Sequence, residues 1–155
     1  METKYILKDK ESIDWRLYIH WSDFSNNGKN ILVGQLLSIK SLEGNKYIIE
    51  YLNEDILRHS KFNKISGCDY YEGKRLWVYL NRLPLFIQER IPSNKRPDLS
   101  RLLKKINLLY YDIYEYLKRT NGICSDNRLF VHTEKDIPDF RNEWLHDISL
   151  RITGD

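Results

Sequence analysis

Four histidines, two cysteines and 22 carboxylates are the groups in this 155-residue chain that could move protons, attack an acyl centre or hold a metal. Their spacing assembles none of the familiar sets. His20, His59, His132 and His146 are scattered, and Cys68 and Cys124 stand alone, with no C-x-x-C and no histidine at ligand spacing. Neither structural zinc nor a disulfide scaffold is expected. There is no G-x-S-x-G, no glycine-rich phosphate loop, no H-E-x-x-H, and no H-R-D or D-F-G stretch. Each histidine reads as solvated surface or a satisfied core residue before it reads as a general base. The expectation is a protein without catalytic machinery and without a cofactor.

Two clusters suit recognition instead. The segment Phe86 to Lys105, FIQERIPSNKRPDLSRLLKK, sets Arg90, Lys95, Arg96, Arg101, Lys104 and Lys105 against Glu89 and Asp98. Such a surface can meet phosphates, with Arg101, Lys104 and Lys105 as the nucleic-acid contacts, or an acidic face of another protein. Equally, Pro92 and Pro97 can shape a rigid turn whose cations are simply solvated. No aromatics interleave with the cations, which weakens a single-strand nucleic-acid reading. In the second cluster, Cys68 to Tyr79 (CDYYEGKRLWVY), Tyr70, Tyr71, Trp77 and Tyr79 flank a glycine turn beside Lys74 and Arg75. Aromatics next to cations are the usual anchors of protein interfaces, although Trp77 could equally close the core. The contact set read from both clusters is Tyr70, Tyr71, Trp77, Arg90 and Arg96. An arginine fork grips carboxylates, and a ring fills a pocket at small entropic cost.

These residues need a scaffold, and the chain's periodicity supplies one. From Asp14 to Trp21 residues alternate, with Trp15, Leu17, Ile19 and Trp21 opposite Arg16, Tyr18 and His20, the period of a half-buried strand. Ile31–Ile39 and Lys46–Leu52 follow as strands, with SDFSNNGKN and LEGN as the turns, which favours an antiparallel meander. Asn53–Ser60 reads as one or two helical turns, and Arg75–Leu80 as a fourth strand. After Leu83 the period becomes helical: Leu99, Leu102, Leu103, Ile106 and Leu109 recur at that spacing, as do Tyr110, Ile113, Tyr114 and Leu117. Pro97-Asp98 suits a helix's first turn, and Asn121-Gly122 behind Lys118 and Arg119 suits a stop. Arg128–His132 reads as a short closing strand. In the remaining tail, Phe140, Trp144, Leu145 and Ile148 could form one more amphipathic helix, its carboxylates complementing the basic segment. The expected class is α+β, a small curved antiparallel sheet from the N-terminal half packed with short helices from the C-terminal half. One domain is expected over residues 1–132, with an extension over 133–155.

Composition narrows the class further. With 25 basic and 22 acidic residues the net charge is +3, too small to announce a nucleic-acid binder by itself. No apolar run reaches the roughly 20 residues of a membrane span, and METKYILKDKES is too polar for a signal-peptide core. A cytoplasmic protein making no membrane contact is expected. The chain has no alanine but 11 tyrosines and 4 tryptophans, so some rings should lie half exposed.

VGQL at 33–36, IEYL at 49–52, RIPSNKRPD at 90–98 and YDIYEYLKRTNG at 111–122 together resemble the small N-terminal subdomain of HipA-type kinases over roughly Trp15 to Val131. The resemblance implies a curved antiparallel sheet packed with short helices, which agrees with the order reached from periodicity. It implies no kinase activity, since every kinase motif is missing. A stand-alone unit of this kind looks most like a HipS-type antitoxin, which binds and neutralises a HipA/HipT-type serine/threonine kinase, with a HipB-like protein supplying DNA binding. The stretch Asp55–Lys74 is longer than the family pattern, and the tail after Val131 has no counterpart in it.

Overall fold

The computed structural model describes residues 5–23, 29–59, 62, 64–70, 73–124 and 128–137. The alternating segments form β1 (Ser12–Asp23), β2 (Lys29–Ser41), β3 (Gly44–Tyr51) and β4 (Leu76–Leu80), and β5 (Leu129–His132) returns after the helices. All neighbours are antiparallel in the order β4-β3-β2-β1-β5. The α+β class is as expected. Among the described residues a 3₁₀ turn, Asp55–Arg58, lies between β3 and β4, and the helices are α1 (Leu85–Gln88), α2 (Leu99–Lys105) and α3 (Ile113–Thr120). Among the described residues no helix is long and apolar enough to cross a membrane.

Two bulges adjust the long β1–β2 pair, one extra residue at Asp14 and one at Val33. The Val33 carbonyl, released from β1, accepts instead from the amides of Leu52 and Asn53 and anchors the end of β3. Beside it Gly34 pairs with both Ile19 and Tyr51. A β-carbon there would stand 2.2 Å from the carbonyl oxygen of Glu50, so only glycine lets the strands approach this closely.

The sheet buries both faces, unequally. Leu17, Ile19, Trp21, Leu36, Ile49, Tyr51, Leu129 and Val131 point to the main core, where Phe86, Ile87 and Leu117 arrive from the helices. Ile56, Ile65 and Cys68 arrive there from the long stretch Asp55–Lys74, which therefore acts as core cover. The Tyr51 hydroxyl fastens this stretch, donating to the Cys68 carbonyl at 2.7 Å and accepting from the Ile65 amide at 3.0 Å.

On the second face, among the described residues, Leu37, Ile39 and Ile48 form a small buried apolar cluster, worth on the order of 6 kcal/mol at full burial. Polar groups secure the cover. Tyr5 lies on the cluster, its amide donating to Glu50 and its hydroxyl to Glu11, while Lys46 pairs with Glu11 at 2.6 Å with both side chains almost wholly shielded. Gln35 donates to Glu50 at 2.8 Å from the neighbouring strand. His20, in the polar register of β1, is also buried here, stacked on Phe130, with Nε2 donating to the Glu134 carbonyl at 3.1 Å. The first residues of the expected extension thus fold back on the sheet, while Phe140, Trp144, Leu145 and Ile148 lie outside the described residues.

The helices depart from the expected continuous periodicity. α2 stops at Lys105 because Asn107 turns left-handed (φ 60°) and the amides of Asn107 and Leu108 bond back to Lys104 and Leu103. This is a Schellman closure, completed by the packing of Leu108 with Leu103. Asp98 caps the start of α2, its carbonyl accepting from the Leu102 amide at 3.1 Å, and Pro97 stands one residue before it. α3 begins at Ile113, where the Asp112 side chain accepts from the Glu115 amide, and Tyr110 falls before it. Asn121 (φ 54°) ends α3 as anticipated.

Two strongly shifted groups contribute to the acid response, an imidazole and a carboxylate. Burial holds His20 down at about 4 from an ordinary 6.5, and the Lys46 and Lys8 hydrogen bonds hold Glu11 at about 2 from 4.5. In both cases the unfolded chain binds the extra proton, so stability falls as pH drops, from 6.5 toward 4 for His20 and from 4.5 toward 2 for Glu11. Urea midpoints measured from pH 7 to pH 3 should therefore decline in two stages. His20→Gln should flatten the upper stage and Glu11→Gln the lower; a His20→Gln profile as steep as wild type above pH 4.5 would contradict this assignment.

Candidate protein-docking surface

The expected contact residues are dispersed by the fold. Trp77 sits on β4 with its ring against the main core, edge-on to Tyr51 at 5.7 Å, and Lys74 Nζ lies 5.4 Å from its centroid. Tyr70 packs half-buried against the same core. Tyr71 lies outside the described residues. Arg90 is turned inward: its guanidinium covers the Phe86 ring at 4.0 Å, donates to the Phe86 carbonyl and pairs with Glu89, and the side chain has no exposed surface. This role is structural, because a desolvated guanidinium so engaged has no donor to spare for a partner across solvent.

The basic segment is partly neutralised. Arg96 and Arg101 share the carboxylate of Asp98, which Arg96 chiefly holds below the usual carboxylate range. Lys104 and Lys105 remain exposed on the last turn of α2, without an ion pair among the described residues and favourably placed at the negative end of the helix. Next to them the chain pushes Leu109 (98% exposed) and Tyr110 (74%) into solvent, two apolar residues that the periodicity had placed on helices. An open groove of about 580 Å³ runs nearby, between Leu83, Ile91, Pro92, Tyr111 and Ile113.

The sheet margins differ sharply. β5 directs the amide and carbonyl of Val131 outward, and Asn121 takes both, its carbonyl accepting at 2.8 Å and its side-chain amide donating at 2.9 Å. β4 has no such cover. Arg75 and Asn81 bond to Tyr51 and Asn45 of the neighbouring chain stretch, which fixes the alternation: odd positions face β3, and Leu76, Val78 and Leu80 present their amides and carbonyls to the outside. Among the described residues nothing bonds to them. Val78 and Leu80 are 46% and 40% exposed. Arg82, 5.0 Å from the Tyr79 centroid, closes the far end as Lys74 closes the near one. Asn81 holds this geometry, accepting from the Asn45 amide and donating to the Glu43 carbonyl, in space that a side chain on Gly44 (φ 131°) would occupy.

Both cysteines are free, burial pushes the Cys68 thiol up to about 11, and among the described residues no three His, Cys, Asp or Glu side chains gather as metal ligands. No family model matches the chain, no curated protein is similar to it, and no solved structure matches it.

Alanine substitutions should separate support from contact. Trp77→Ala and Arg90→Ala each remove inward packing and should cost on the order of 2 kcal/mol or more in urea denaturation. Lys104→Gln and Lys105→Gln should stay within about 0.5 kcal/mol of wild type. Equal stability for all four variants would refute the inward assignment of Trp77 and Arg90.

Proposed function

We propose that the chain is a non-enzymatic, antitoxin-like binding module that docks on a HipA/HipT-type serine/threonine kinase and holds it inactive, with a HipB-like DNA-binding protein as the third member of such a system. The kinase class comes from the sequence resemblance; the observation that carries a docking role is the open β4 margin. Soluble sheets normally blunt or cover an outer strand, and this chain does so at β5. At β4, among the described residues, it leaves three residues' backbone groups unmet beside exposed Val78 and Leu80, with Trp77, Tyr79, Lys74 and Arg82 around them. Rings held by the core and cations lying over them are already ordered, so a partner meets a surface with little entropy left to lose. Tyr70 contributes through its exposed part, whereas Arg96 is engaged with Asp98 and Arg90 supports the fold.

The nucleic-acid alternative has less behind it. Arg101 is engaged with Asp98, which leaves Lys104 and Lys105 as a short cationic step rather than a stripe that follows a phosphate backbone.

Co-expression with a HipA-type kinase, followed by size-exclusion chromatography and a phosphorylation assay, tests the proposal. The expected outcome is one co-eluting complex with kinase activity suppressed at least tenfold. Separate elution with undiminished phosphorylation would remove the kinase from consideration.

A further inference from the structure

We infer that β4 binds its partner by strand addition, and that the added strand comes from a different protein and carries carboxylates near both of its ends. The inference deepens the docking role proposed above but stands on the geometry of the edge alone.

The backbone gives the first half of the argument. Leu76, Val78 and Leu80 each offer one amide and one carbonyl outward, so an antiparallel strand could complete six ladder bonds without disturbing the bonds to β3. Side chains add the specificity. The second-face side of the edge is apolar, with Val78 and Leu80 exposed and Leu76 half-buried. The main-face side carries Trp77 and Tyr79 with Lys74 and Arg82 over their rings. Neither cation is within ion-pair distance of a carboxylate among the described residues.

Charge then selects the occupant. A second copy pairing antiparallel through the same edge, centred on Val78 for full overlap, would set Lys74 of each copy opposite Arg82 of the other. Two cation–cation encounters at the ends of a five-residue strand oppose self-association, and edge lysines are a recognised guard against it. A strand with apolar residues at its centre and Glu or Asp at both ends converts the same two positions into attraction.

The test uses the full-length chain and two synthetic peptides of identical alternating Val/Thr core, one ended by glutamates and one by lysines. In ¹⁵N-resolved NMR titration, the glutamate peptide should shift the amides of Leu76, Val78 and Leu80 and slow their hydrogen exchange, with affinity at least tenfold above that of the lysine peptide. Val78→Pro removes one outward amide and no bond to β3, and should weaken binding at least tenfold. Should that variant misfold, the double substitution Lys74→Glu, Arg82→Glu serves instead and should reverse the peptide preference. No shift at the three amides, or equal response to both peptides, overturns the inference. Neither peptide involves a kinase, so failure here leaves the kinase reading to its own assay, and failure there leaves the edge to this one.

Discussion

The buried hydroxyl of Tyr51 fixes in register parts of the chain that apolar packing alone would bring together without a set geometry. Burial pushes it well above the ordinary phenol range, so it stays neutral and both donates to Cys68 and accepts from Ile65. Through these two bonds an irregular stretch with little regular structure of its own is registered against β3. Cys68 in turn lies 3.5 Å from the Tyr79 hydroxyl, so the same stretch props β4 from beneath. Gly34 across β2 makes the position possible, because a side chain there would drive β3 away. A five-residue edge strand with one neighbour would be marginal alone; supported in this way, it is held in shape without a second neighbour.

That support explains what the sequence made legible. Alternation over Asp14–Trp21 and Arg75–Leu80 identified strands because a face buried against a core imposes a period of two on whatever side chains occupy it. Asn121-Gly122 marked the end of α3 because few residues tolerate a left-handed turn. Other features depended on partners distant in sequence. His20 stood in a polar register and is nonetheless buried, since its cover comes from Phe130 and Glu134, more than a hundred residues away. Glu11 and Lys46 look like two ordinary surface charges until the N-terminal segment crosses the second face.

Local periodicity also misdirects for a physical reason. Leu99, Leu102, Leu103, Ile106 and Leu109 fit helical spacing, yet the competing Schellman bonds at Asn107 and Leu108 stop the helix and throw Leu109 outward. Lys104 and Lys105, followed after Ile106 by Asn107, were the available sign, cations in a last turn ahead of an asparagine suited to φ > 0. The Asp112-x-x-Glu115 pair was a further sign, fixing the start of α3 at Ile113, beyond Tyr110. The charge cluster at 90–105 misled in another way, because counting cations ignores where they point: Arg90 goes into the core, and Arg96 and Arg101 go to one carboxylate.

The unequal treatment of the two outer strands follows from the same economy of parts. Asn121 is already left-handed to end α3, and in that conformation both its carbonyl and its side-chain amide reach Val131, so helix termination and closure of the β5 margin are one event. Among the described residues no helix terminus bonds to the outward backbone groups of β4. What borders it are Lys74 and Arg82, which sit over rings that the core already immobilises. Cations placed this way repel an identical edge while leaving its backbone accessible, so they discriminate among partners where a covering helix would exclude them all. A margin guarded by charge rather than by bulk is thus compatible with both a chain that does not polymerise through its own edge and a surface that accepts one complementary strand.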